Sequence, residues 1–99
     1  MVNGDYKRQL EHHRENIDSI NEGLKKLLQQ RMEEVLAIGR LKAENGIPVY
    51  DPEREEQIYR DLCVGTNLPE WYIRSVFKQI IEGAKKMESE QKATQGARE

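Results

Sequence analysis

Arg31 and Lys42 are the residues of this chain most able to do chemistry, because both fall on a stripe that is otherwise apolar. Arg31 lies seven positions after Leu24 and four before Val35. Lys42 lies four after Ile38 and eleven after Arg31, close to three full helical turns. That spacing turns both cations toward the core side of one helix. The bland outcome is that each charged head snorkels to the edge while its stem covers apolar surface. Two cations on one stripe, with Arg54 and Glu55 just beyond the helix in sequence, ask for more. Buried cations are costly without anionic partners, and Glu55 is only one. A small molecule with two carboxylates balances the charge. Arginine makes planar, bidentate contacts with a carboxylate, and lysine offers a compact point charge. Two arginines, a lysine and one acceptor carboxylate suit a small dianion carrying one hydroxyl. On residue types alone this is a dicarboxylate site with no reaction attached.

The elements that would position these groups are helical. The first helix reads from about Tyr6 to Glu44, with Leu10, Ile17, Ile20, Leu24, Leu28, Val35 and Ile38 recurring at helical spacings. Within it Gly23 and Gly39 each cost about 1 kcal/mol against Ala. At ~1.5 Å per residue it would be close to ~60 Å long, more than the rest of the chain can cover. Pairing with a second copy is the economical solution. The helix breaks at Gly46-Ile47-Pro48. A second begins at Asp51, a good N-cap, with Pro52 in the first helical position, and it stops near Gly65. The joint is read as turning Arg54 and Glu55 back toward Lys42. A third helix begins in "TNLPEWYI", where Asn67 and Glu70 have the spacing of a capping box. Its apolar face comprises Ile73, Val76, Phe77, Ile80, Ile81 and Ala84. The tail from Gln91 is expected to fray. No strand signal appears, so the fold class is all-α, as one domain over residues 1–99 with its core at about 7–90.

Composition narrows the function classes. Hydrophobic residues make up 36% of the chain and charged residues 34%, which leaves a single copy with a thin core. Small chains compensate with disulfides, metal or oligomerisation. Cys63 is the sole cysteine, which excludes an intrachain disulfide. His12 and His13 are adjacent, and no Cys/His spacing resembles a zinc site. All three are read as structural or surface residues. A formal charge of −2 without a basic, aromatic-interleaved stripe argues against nucleic acid. The opening "MVNGDYKRQ" has no apolar signal region and nothing later spans a bilayer, so the chain reads as cytoplasmic.

Four segments carry a resemblance: "RENIDSIN", "LLQQRMEEVLAIGRLK", "GIPVYDPERE" and "VFKQIIEGAK". In this order and spacing they resemble the all-helical (AroQ-type) chorismate mutases over roughly residues 7 to 90. The resemblance implies an intertwined helical homodimer in which Arg14 of one protomer enters the partner's site. Geometry supports that implication: Arg14 and Arg31 are seventeen residues apart, about 25 Å along one helix, too far for one small ligand to touch both. By the same resemblance, Arg14, Arg31 and Arg54 hold two carboxylates, Lys42 contacts the ether oxygen, and Glu55 accepts from the C4 hydroxyl. Asp51 helps shape that end of the pocket, or serves simply as an N-cap. The implied reaction is the pericyclic rearrangement of chorismate to prephenate, which needs neither cofactor nor metal, and Lys42, Glu88 and Arg31 are the expected catalytic set.

Two positions depart from the commonest bacterial pattern. Ala84 stands where many members have Ser, losing a hydrogen bond to a carboxylate. Glu88 stands where many have Gln; it donates a hydrogen bond only when protonated. Burial beside a dianion would raise its pKa, unless it belongs to a solvated face with Lys85 and Lys86. Three other readings stay open. Two are enzymes on the same scaffold: an isochorismate-pyruvate lyase, and a 4-amino-4-deoxychorismate mutase, whose C4 ammonium would pair with Glu55. The third is a helical dimerisation module without catalysis.

Overall fold

The computed structural model describes the backbone of residues 2–97 and the side chains of residues 3–91. Three helices account for the regular structure: α1 (Val2–Glu44), α2 (Pro52–Leu62) and α3 (Glu70–Ala97), with no strand among the described residues. The first begins four residues earlier than the apolar pattern suggested. The third runs on to Ala97, through most of the tail expected to fray from Gln91; the last two residues of that tail lie outside the described residues.

The chain divides into two units, one ending at Glu33 and one beginning at Glu34. The first consists of the N-terminal turns of α1. Its apolar stripe is uncovered: Ile17 is 54% exposed, Ile20 61%, Leu24 52% and Leu28 45%. The second contains the end of α1, all of α2 and α3, and the buried apolar side chains, Ile73, Ile81 and Ala84. Those three lie on one face of α3 at helical spacing.

The joint after α1 is a helix stop built around one glycine. Gly46 adopts φ +66°, which the absence of Cβ permits. Ile47 N–H then reaches back to Lys42 O at 2.8 Å and Gly46 N–H to Ala43 O at 3.3 Å, the paired bonds of a Schellman motif. Pro48 follows directly and prevents resumption of the helix. Asp51 then caps α2, its Oδ1 accepting from Arg54 N–H at 3.1 Å. Pro52 opens the helix, and Glu53 and Glu55 in the first turn complement its dipole.

The start of α3 differs from the sequence expectation. No capping box forms between Asn67 and Glu70. The Thr66 hydroxyl accepts from Leu68 N–H at 3.1 Å, while Pro69 O receives Tyr72 N–H at 3.0 Å and Ile73 N–H at 3.2 Å. Pro69 therefore occupies the cap position, one residue before Glu70. Asn67 is too far upstream to reach the orphan donors, and Glu70 is drawn to Arg74 Nε at 2.9 Å.

Packing of α2 on α3 relies on few contacts, since α2 has no fully buried residue. Arg74 of α3 spans the junction: its guanidinium lies 5.2 Å from the Tyr59 ring centroid and 3.6 Å from Glu56 Oε1. Exposed ion pairs of this kind contribute little individually. Combined with the cation–π contact and half-buried Ile58 and Leu62, they hold the face of α2 that carries Glu55 against α3.

Candidate active site

Within the second unit, Lys42 is fixed rather than free. It is half-buried, and its Nζ donates to Val49 O at 3.2 Å, across the joint that its own carbonyl helps to form. The ammonium is thus tied to the far strand of the turn, with two of its three donors left for other acceptors. On α3, Glu88 lies within electrostatic reach of Lys42. Burial pushes the Glu88 carboxyl above the ordinary carboxylate range, and the Lys42 ammonium opposes that shift without cancelling it. Glu88 does not belong to a solvated face: it is half-buried, unlike its neighbour Lys86.

Gly39 on α1 makes room for this carboxyl. A Cβ at that position would lie 3.2 Å from Glu88 Oε2 and 3.7 Å from its Cγ. An open cleft of about 370 Å³, solvent at its mouth included, runs along this contact. Gly39, Arg40 and Ala43 form one wall, Ile47 and Val49 of the joint another, and Glu88 and Gln91 the third. Of the residues expected in the site, Glu88 is the one that lines this cleft.

Glu55 points inward from α2, but its partner is Lys85 of α3 and not Lys42. Lys85 Nζ stands 2.6 Å from Glu55 Oε1, with the two side chains 33% and 23% exposed. That oxygen is shielded from solvent and the approach lies off the line of a directed hydrogen bond, so the contact is chiefly between charges. Pairing with Glu55 raises the Lys85 pKa more than burial lowers it. The Lys85 ammonium also sits 5.3 Å from the Tyr50 ring centroid. Sequence reasoning placed Lys85 on a solvated face. The signal that would have found it is its register, four residues after Ile81 and three before Glu88.

Arg54 is exposed and donates from Nη1 to Gln57 Oε1 at 3.1 Å within its own helix. Asp51 is exposed and occupied as the N-cap. Ala84 is buried, 4% exposed, and contributes a methyl group to the core of α3. Arg14 and Arg31 both belong to the first unit. Arg14 is exposed and Arg31 half-buried, and neither forms an ion pair or hydrogen bond among the described residues. The structure therefore brings Lys42 and Glu88 together, and separately Glu55 and Lys85. Among the described residues no group of three or more His, Cys, Asp or Glu is arranged to hold a metal ion. Among the same residues no helix is long and apolar enough to cross a membrane.

Chemically, this part of the chain offers an anchored ammonium, a carboxyl that keeps its proton above the usual range, and a carboxylate neutralised by its own lysine. Such groups can stabilise charge on an oxygen and accept or donate hydrogen bonds. Residues 13–89 match the family model described as chorismate mutase type II. A chorismate mutase of Methanocaldococcus jannaschii is 34% identical over 80 residues, covering 78% of this chain and 81% of that protein. The form II structure of chorismate mutase from Thermus thermophilus superposes with a TM-score of 0.80 at 34% identity, over 84% of this chain and 97% of that one. The form I structure from the same organism gives 0.73 at 35% identity, over 77% and 98%.

Proposed function

This chain belongs to the chorismate mutase type II family, and on that premise we propose how its own residues rearrange chorismate to prephenate. The enzyme is an isomerase. The observation that carries this activity is the family match across residues 13–89, which takes in all of α2 and most of α1 and α3. The reaction is intramolecular and pericyclic: one C–O bond breaks as one C–C bond forms, with no group transferred to the protein. The protein's contribution is orientation and electrostatics.

In the proposed site the Lys42 ammonium faces the ether oxygen, which gains negative charge as its bond to carbon lengthens. A donor already anchored to Val49 O does not reorganise during the step, so its stabilisation is larger in the transition state than in the ground state. Protonated Glu88 donates a second hydrogen bond to the same oxygen. Arg31 and Arg54 bind the two carboxylates and hold the side chain over the ring. To do so Arg54 leaves Gln57, an exposed contact of low cost. Glu55 accepts from the C4 hydroxyl with the oxygen that Lys85 does not occupy, and Asp51 shapes that end of the pocket while it caps α2.

We further propose that the working unit is an intertwined homodimer in the cytoplasm, each site completed by Arg14 of the partner protomer. Two features support this. Arg14 has no counter-charge among the described residues, and the stripe Ile17, Ile20, Leu24 and Leu28 is left open to solvent. Burying such side chains contributes roughly 1.5–3 kcal/mol each, which favours a second copy over a bare helix. Neither rival activity is named by the relatives above. Incubating the protein with chorismate, isochorismate and 4-amino-4-deoxychorismate, and following prephenate, pyruvate and the amino analogue of prephenate, tests the assignment. Turnover of chorismate to prephenate with the highest kcat/KM is the expected outcome. Preference for either other substrate overturns it.

A further inference from the structure

We propose that Lys85 is a specificity-determining residue: by pairing with Glu55 it reserves that carboxylate for a neutral hydroxyl and rejects a substrate with an ammonium in the same place. The inference rests on the reading of Glu55 as the group that meets the C4 substituent, and goes beyond it by assigning a role to a second residue.

Glu55 Oε1 is already 2.6 Å from the Lys85 ammonium and closed to solvent. The pair is close to neutral as a unit, and the second carboxylate oxygen has no partner among the described residues. A hydroxyl needs only a lone pair, which that oxygen supplies. An ammonium needs net negative charge, and would find a second ammonium on the far side of the same carboxylate. Like charges brought together at a partly desolvated site act as a repulsive filter, the kind of element by which specificity is built against a competitor.

Lys85 is also held where it is. Its Nζ lies 5.3 Å from the Tyr50 ring centroid, and Glu82 Oε1 approaches to 3.9 Å from the preceding turn. Glu55 above all, with smaller help from Glu82 and Tyr50, favours the charged form and raises the pKa of Lys85. Swinging aside to admit a rival cation would cost the Glu55 and Tyr50 contacts together. Without Lys85, Glu55 becomes an unpaired anion in the same position, which is the arrangement an ammonium substrate prefers.

The experiment compares kcat/KM for chorismate and for 4-amino-4-deoxychorismate in the wild type, Lys85→Met and Lys85→Arg. The quantity read is the ratio of the two constants on one sample, so any loss of folded enzyme cancels. Lys85→Met is expected to lower the chorismate preference about tenfold or more, the change that ~1.4 kcal/mol of lost repulsion produces. Lys85→Arg, which keeps the charge, is expected to retain the wild-type ratio. A Lys85→Met ratio within about threefold of wild type, ~0.7 kcal/mol, overturns the proposal while chorismate turnover leaves the family reading intact. A shift that persists undiminished in a Glu55→Gln background also overturns it, because Lys85 would then act on something other than Glu55. A wild type that rearranges neither substrate defeats the reading of the site and the proposal with it.

Discussion

Replacing Glu88 by Gln isolates what a carboxyl contributes at this position. Burial holds the Glu88 pKa above the ordinary carboxylate range, with Lys42 pulling the other way. Only the protonated carboxyl donates a hydrogen bond, whereas a Gln amide donates at every pH. Above the folded-state pKa, each further pH unit removes about nine-tenths of the remaining donor, a tenfold loss equivalent to ~1.4 kcal/mol of barrier. Wild-type log kcat should therefore fall with a slope approaching about −1 past its break, while Glu88→Gln stays level. About one unit past the break the variant leads tenfold relative to its own low-pH ratio, and about two units past it a hundredfold. The assay is continuous loss of chorismate absorbance from about pH 4 to about pH 9, which brackets the ordinary glutamate value and the neutral range. Parallel wild-type and variant profiles would refute the reasoning.

The same substitution has a consequence for stability, with a definite sign. The folded state holds the Glu88 proton to a higher pH than the unfolded chain does. Its contribution is fully present below the unfolded pKa and is lost as pH rises through the folded pKa. Wild-type melting temperature should therefore decline relative to Glu88→Gln within that window and run parallel to it on either side. A divergence of the opposite sign would mean that Lys42, not burial, governs the carboxyl.

Three further outcomes follow from the same geometry. Lys42→Ala should raise the barrier by ~3–4 kcal/mol with helix content by circular dichroism unchanged, and near-normal turnover would remove Lys42 from the reaction. Gly39→Ala should raise thermal stability by up to about 1 kcal/mol through helix propensity, yet lower kcat/KM, because the added Cβ would stand 3.2 Å from Glu88 Oε2 and displace the carboxyl. A stabilised variant with an unaltered pH–rate profile would contradict that placement. Arg14→Ala and Arg31→Ala should each be inactive alone but regain activity when unfolded together and refolded in equal amounts. Random pairing makes half the dimers mixed, each with one intact site of two, so recovery should reach about one quarter of wild type; no recovery would count against sites shared between protomers.

The local features of this fold were legible in the sequence because local physics decides them. Gly46 must take a left-handed φ for the carbonyls of Ala43 and Lys42 to be satisfied, and Asp51 and Pro52 have the residue types that favour an N-cap and a first helical position. The misreading at Asn67 is equally local: Pro69 moved the helix start beyond the reach of an Asn67 cap. What spacing alone did not reveal was which charges meet across helices. Arg54 and Glu55 were expected to face Lys42 together, but consecutive helical residues are splayed by about 100°. The helix therefore turns Glu55 toward α3 and leaves Arg54 outside with Gln57. Which cation then receives Glu55 depends on how α2 packs on α3, through Arg74 and Tyr59, and no periodicity in either helix contains that information. The stripe from Ile17 to Leu28 marks the opposite limit. Its pattern is clear in the sequence, yet Ile17, Ile20, Leu24 and Leu28 are exposed, whereas Ile73, Ile81 and Ala84, buried among the described residues, belong to the other unit. In the proposed dimer the same stripe on a second copy would cover this surface, and that pairing would carry Arg14 into the partner's site.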